Sequence, residues 1–308
     1  MYLKKSFTLI EILVVIVVIG ILSAFILVGM SSISSSANIA KGQAFSNSLR
    51  NSLLINLISE WKLDEGAGTS ANDSWGTNNG TLTCYGTGCT NPVWRTGNQC
   101  VKGSCVYFDG TQDYISVPDS NTLDISREIT IEVWIFPEIV SGYLVTKGSH
   151  NTSNGNYCIG KDPAYFTYWD GTGSNNYYNT STWITNNKWS HVVLTYNFST
   201  YNINFYVNGV SVSGSWSVAP DSANPVLTAF ELIIGARKHF LGGTVGTVDN
   251  FYRGTMDEIR IYGAALSAFR INQNYYIGLN NLIKNNGITL NEFNQRIVEL
   301  KSNLSNNE

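Results

Sequence analysis

The sequence predicts a long N-terminal α-helix, then a mainly-β antiparallel sandwich, then a short C-terminal helix. Three observations predict this order. An apolar run near the N-terminus is too long for an ordinary core helix, and the composition changes abruptly near Ser59. Beyond that point, short Val/Ile/Tyr/Trp-rich runs alternate with Asn-Gly, Asp-Gly and Ser-Gly pairs, the punctuation of strands joined by tight turns. The 308 residues are long enough for one large domain with appendages or for two ordinary domains. A net charge of -3 and only 13% charged residues give no electrostatic footprint for a phosphate backbone, which excludes nucleic acid as the main partner.

The first element follows from hydropathy. Lys4 and Lys5 precede an apolar stretch from Phe7 to Gly29. As a helix rising about 1.5 Å per residue, that stretch spans about 34 Å, enough to cross a hydrocarbon core. The lysines predict a cytoplasmic N-terminus, with everything after Gly29 outside. A cleaved secretory signal would have a shorter apolar region and an A-x-A-like site, which Ser34-Ser35-Ser36-Ala37 matches poorly. Glu11 interrupts the apolar pattern, and an unpaired carboxylate there costs roughly 2.5–3.5 kcal/mol on insertion scales. Either it snorkels to the interface or a fixed positive partner lies within the membrane. Past Gly29, Ile39, Ala40, Ala44, Phe45, Leu49, Leu53, Leu57 and Ile58 fall at near-helical steps, which predicts that the helix continues to about residue 59.

The run Lys4-Lys5-Ser6-Phe7-Thr8-Leu9-Ile10-Glu11 resembles the processing site of type IV prepilins and pseudopilins. The resemblance implies cleavage by a prepilin peptidase between Ser6 and Phe7, with methylation of the new Phe7 N-terminus. Residues 1–6 are then a leader and 7–59 a pilin-type helix, whose 7–29 portion is held in the inner membrane before assembly. Glu11 becomes the fifth mature residue, which in this family neutralises the N-terminal amine of a neighbouring subunit. Ser6 departs from the glycine favoured at that place. The partners implied are other pilin subunits in a surface filament. Alternatively, a pseudopilin would serve a type II secretion or DNA-uptake machine.

From residue 60 to about 277 the pattern is that of strands. The clearest are Cys105–Phe108, Tyr114–Val117, Ile129–Phe136, His191–Tyr196, Ile203–Val207 and Leu232–Ile234, several of them alternating as half-buried antiparallel strands do. Asn208-Gly209 between β-branched flanks predicts a type I′ hairpin turn. In order and spacing, six stretches resemble the laminin-G-like, concanavalin-A-like jelly roll. They begin at Trp61-Lys62-Leu63-Asp64-Glu65-Gly66 and Asp73-Ser74-Trp75-Gly76, and continue at Val106-Tyr107-Phe108-Asp109-Gly110 and Trp189-Ser190-His191-Val192-Val193. The last two are Phe205-Tyr206-Val207-Asn208-Gly209 and Gly254-Thr255-Met256-Asp257-Glu258-Ile259.

Catalysis finds no support in these residues. No E-x-D-x-x-E carboxylate pair of the glucanase kind, no G-x-S-x-G elbow and no paired-histidine ligand spacing occurs. Glu128 and Glu132 can share a strand face, and edge solvation is the role expected of them; His191 is expected to be a packed structural residue. A calcium site is expected on Asp73, Asn78, Thr81 and Asp257 with carbonyls near Gly80, oxygen donors of the kind calcium prefers, in two segments that the resemblance brings together. The alternative for Asp73 and Asn78 is a turn held by side-chain-to-backbone hydrogen bonds. Tyr168, Trp169, Tyr178 and Trp183 lie in an aromatic stretch rich in Asn, Ser and Gly, where rings could stack on a glycan or meet a surface protein; the other use of such rings is core.

Five cysteines remain. Cys84, Cys89, Cys100 and Cys105 permit three connectivities, of which the local pairs need the least chain rearrangement, and C-x4-C spacing favours disulfides over zinc. Cys158 is left as a buried thiol or an alternative partner. Residues 278–308 form a tail, in which Thr289-Leu290-Asn291-Glu292 has capping-box spacing and opens a short amphipathic helix.

Overall fold

The computed structural model describes residues 56–139, 141–150, 155–160, 165–169, 174–179, 184–218, 225–241 and 244–305. Ser6, Phe7, Glu11 and the whole predicted N-terminal helix lie outside the described residues, as does Trp183. Among the described residues no helix is long and apolar enough to cross a membrane. One compact unit runs from Asn56 to Glu308.

In chain order the strands are β1 (Leu57–Trp61), β2 (Ser70–Ala71), β3 (Gly80–Cys84), β4 (Val93–Thr96), β5 (Ser104–Asp109), β6 (Asp113–Val117), β7 (Glu128–Pro137) and β8 (Tyr143–His150). Then come β9 (Gly155–Gly160), β10 (Tyr165–Trp169), β11 (Ser174–Asn179), β12 (Ser190–Asn197), β13 (Ile203–Val207), β14 (Val210–Val212) and β15 (Gly214–Val218). The last four are β16 (Leu232–Ile234), β17 (Arg237–Leu241), β18 (Thr244–Asp249) and β19 (Arg253–Tyr262), followed by helices α1 (Ala268–Lys284) and α2 (Leu290–Ser305).

They form two sheets. The first runs β14-β13-β12-β7-β19-β5-β4, with β1 beside the C-terminal half of β19. The second runs β15-β11-β10-β9-β8-β16-β6-β3-β2, with the β17–β18 hairpin attached to β8. Between the sheets lies an apolar core that includes Trp61, Phe108, Ile131, Val133, Ile159, Phe166, Leu194 and Ile259. Burying such side chains is worth on the order of 1.5–3 kcal/mol each, so this layer drives the fold. At one end of the sandwich, fully buried Lys147 reaches Asp119 (2.5 Å), Asp124 (3.3 Å) and the Phe230 carbonyl (2.5 Å) and ties two loops together.

Two sequence boundaries move. Leu57 and Ile58, read as the end of the helical stripe, belong to β1, because both pack against this unit: Leu57 is buried and Ile58 lies against the core. The strands end at Tyr262 rather than near Tyr276, since α1 begins at Ala268. Its buried Ile271, Tyr275, Leu279 and Leu282 recur at helical steps and face the back of the first sheet. The predicted tail helix is present as α2, with the Glu292 N–H donating to Thr289 Oγ1 at 3.2 Å. The Asn208-Gly209 turn has positive φ at both positions (52° and 77°), as a type I′ turn requires.

Candidate functional site

The most concentrated charge in the described chain lies on the back of the first sheet. Register places Glu60, Arg260 and Glu132 in one row across β1, β19 and β7. Next to that row are Asp257, Trp134 and His191. A bulge in β19 makes this crowding possible. Glu258 adopts a φ of 48° and adds its carboxylate to the side that Arg260 occupies. Arg260 then binds three acids: Glu60 at 2.8 Å, Glu132 at 3.1 Å, and Glu258.

Glu132 is wholly buried, which corrects the expectation of edge solvation. Its Oε1 meets His191 Nε2 at 3.0 Å, and its Oε2 accepts from Asn274 of α1 at 2.7 Å and from the Tyr262 hydroxyl at 3.4 Å. Burial alone would raise its pKa, but Arg260 and the His191 contact outweigh that and hold it at about 2. His191 is buried as expected; its ring lies against Trp134 (centroids 5.0 Å) and stacks on Tyr275 of α1 (5.8 Å). A carboxylate beside an imidazole has the parts of a general base, yet every oxygen of Glu132 is engaged and α1 covers it. Its chemistry is that of a lock between sheet and helix. Glu128 is likewise engaged, accepting from Asn197 Nδ2 at 2.5 Å and from the Ala265 N–H at 3.2 Å.

The carboxylate oxygens expected for calcium are used by the chain itself. Asp73 Oδ1 accepts from the N–H groups of Glu60, Trp75 and Gly76, and its Oδ2 accepts from that of Asn78, all within 3.1 Å. Asn78 donates to Ser59 and Thr122, while its carbonyl takes the Trp61 indole N–H at 2.8 Å. Gly80 sits where a Cβ would stand 2.6 Å from Ile115, and Thr81 is exposed on β3. Asp257 Oδ2 accepts from the N–H groups of Val101 and Lys102, at 2.8 and 3.1 Å. Four N–H donors converge on Asp73, and their positive hydrogens are the wrong partners for a cation. This conformation is a turn organiser and does not fit calcium. Among the described residues no group of three or more His, Cys, Asp or Glu comes together to hold a metal.

The aromatic stretch also turns inward. Tyr168 is fully buried in the sandwich core, and Trp169 is buried with Tyr143, Cys158 and Tyr165 on the back of the second sheet. Neither presents a face to a glycan. Tyr178 lies on β11, opposite Tyr165 in register. The local disulfides Cys84–Cys89 and Cys100–Cys105 are both formed. Cys158 is a free, buried thiol, and burial pushes its pKa up to about 12, far from the thiolate that reactivity needs.

One feature had no signature in the sequence. A concavity of about 240 Å³ opens between α2 and the start of β12, and every residue lining it is polar. It exists because α2 folds back over the sheet, so its two walls come from segments about a hundred residues apart. No local pattern could reveal it.

Comparison with known proteins fits this geometry. Residues 109–272 match the concanavalin A-like lectin/glucanases superfamily, and residues 1–27 match the prokaryotic N-terminal methylation motif, the type IV pilin signal. No curated protein sequence matches the chain. Among solved structures, similarity extends to domain 4 of AbnA, an extracellular arabinanase from Geobacillus stearothermophilus solved in complex with arabinotriose. The identity is 19% and the TM-score 0.52, over 71% of this chain and 97% of that one. The binding domain of Paraclostridial Mosquitocidal Protein 1 is similar at 18% identity and TM-score 0.54, covering 74% of this chain and 53% of that one. The botulinum neurotoxin serotype D/C binding domain is similar at 16% and 0.51, covering 75% and 53%. The chain thus spans about half the length of those toxin domains, and at such identities the likeness shows the fold alone. With residues 109–272 covering more than half of its 308 positions, the chain belongs to the concanavalin A-like lectin/glucanases superfamily.

Proposed function

We propose that this chain is a type IV pilin-like subunit, cut by a prepilin peptidase before Phe7 and assembled into a surface filament. There it displays its jelly roll for adhesion to a glycan or a surface protein. The observation that carries the reading is the pairing of two matches on one chain: a methylation motif over residues 1–27 and a lectin-like sandwich over 109–272. Supporting it, the compact unit begins at Asn56, which leaves the preceding segment for anchoring and assembly. In this reading Glu11 neutralises a neighbour's N-terminal amine, which gives its carboxylate the partner an apolar surrounding demands. Two formed disulfides suit an oxidising, extracytoplasmic site.

Mass spectrometry of sheared surface filaments tests the reading. A mature chain beginning at methylated Phe7 is expected. A surface form that retains residues 1–6, or begins near residue 37, overturns it. Recovery of the chain in a secretion or uptake machine, with no filament, transfers it to the pseudopilins.

A further inference from the structure

We propose that the groove between α2 and the start of β12 binds one sugar residue of an uncharged glycan. This rests on the reading of the domain as a glycan-binding display module and adds the place and the ligand class. Three properties of the groove point there.

The first is its chemistry. The sheet-side wall offers Lys188, Ser190 and Asn208; the helix-side wall offers Glu292, Gln295 and Glu299. Asn208 Oδ1 is occupied by the His191 N–H at 3.0 Å, which leaves its amide to act as donor. Gln295 donates its amide to Glu299 at 3.0 Å, so its own carbonyl remains an acceptor. The groove therefore sets donors (Lys188, the Asn208 amide and Arg296) beside acceptors (the Gln295 carbonyl and the Glu292 and Glu299 carboxylates). Sugar hydroxyls both donate and accept, and adjacent hydroxyls on a ring reach both kinds at once.

The second is charge. Lys188 and Arg296 balance Glu292 and Glu299, so an acidic or basic ligand gains little from the groove as a whole, whereas a neutral polyol loses nothing. The third is rigidity. Arg296 is only 8% exposed and holds the Trp189 carbonyl at 2.9 Å and Glu292 at 2.7 Å, fixing the floor before any ligand arrives. Fixed polar groups reduce the ordering cost of binding. A volume of about 240 Å³ lies just below the range of drug-sized pockets and suits a single ring.

The test is binding of the full chain, in detergent micelles, to a printed panel of neutral, carboxylated and sulfated oligosaccharides that includes arabinotriose. Glu299→Ala removes an exposed acceptor, and Gln295→Trp fills the groove from an exposed helix position. Each is expected to weaken binding by about tenfold or more, roughly 1.4 kcal/mol, with the melting temperature unchanged. If the unaltered chain binds and both variants bind equally well, the groove is not the site, while the display function stands. Binding confined to carboxylated or sulfated glycans overturns the ligand class. Absence of binding to any glycan overturns both this inference and the glycan arm of the proposed function.

Discussion

The two sheets are covered on their backs in opposite ways. The first hides a charged row, Glu60–Arg260–Glu132 with His191 beside it, whose Glu132 and His191 end lies under α1. The second hides rings and small apolar groups. Tyr143, Tyr165, Trp169 and Cys158 form one cluster there, and Ile233, Ala236 and Val248 another, the latter drawing on the β17–β18 hairpin. A charged row depends on every partner being present, because one orphaned buried ion is costly. An apolar cover depends mainly on volume. The first cover therefore specifies one docking of α1, while the second tolerates adjustment.

Removing a charge should separate the two most sharply. Glu132→Ala leaves Arg260 and His191 without their central partner and is expected to destabilise by about 3–5 kcal/mol in chemical denaturation. A change within experimental error would mean that α1 is held by apolar contacts alone. Acid should reach the same row next. The Glu132 pKa falls from 4.5 to about 2 on folding, so the ionised group stabilises above about pH 4.5 and that contribution fades as pH drops toward 2. The amount is about 3 kcal/mol, and Glu132→Gln should flatten the acid limb of a stability–pH curve.

Smaller effects compare the covers directly. A Cβ at Gly278 would lie 2.3 Å from the Trp134 ring, and one at Gly155 would lie 2.2 Å from the Trp169 ring. Alanine at either position should cost about 1–3 kcal/mol through overpacking. Gly278→Ala should fall at the lower end, because alanine regains about 1 kcal/mol of helix propensity that Gly155→Ala does not. Equal thermal shifts would show that overpacking costs more at Gly278 than at Gly155 by about that propensity gain, the mark of a more rigidly docked α1. Smallest of all, a chelator should leave the melting temperature unchanged, since Asp73 spends its oxygens on N–H groups. Loss of stability with chelator would restore the cation.

Much of the sandwich was legible because alternation and turn chemistry are local. Ile203–Val207 and Leu232–Ile234 coincide with β13 and β16, and the neighbouring strands differ only at their ends. What escaped was whatever depends on a second cover. In β7 both faces are buried, Ile131 and Val133 toward the core and Glu132 and Trp134 under α1, so Glu132 read as an edge residue. For the same reason the sequence left Tyr168 and Trp169 open between a ligand-binding face and the core, although β10 is buried throughout. Helix α1 was missed although Ile271, Tyr275, Leu279 and Leu282 keep helical spacing, because its many Asn and Tyr residues are indifferent helix formers. The polar groove was beyond reach, since its walls meet only after α2 has folded back.

The position of β1 has a mechanical meaning. The chain enters this unit at Asn56, whose carbonyl accepts from Gly263 N–H at 2.8 Å, and runs at once along β19 through Leu57–Tyr262 and Trp61–Ile259. Tension arriving through residue 56 along that strand would load its rungs together, in shear, and pass through Glu60 and Arg260 into β7. A tether paired lengthwise to the long central strand β19 spreads a tug over the sandwich where a crosswise attachment would peel.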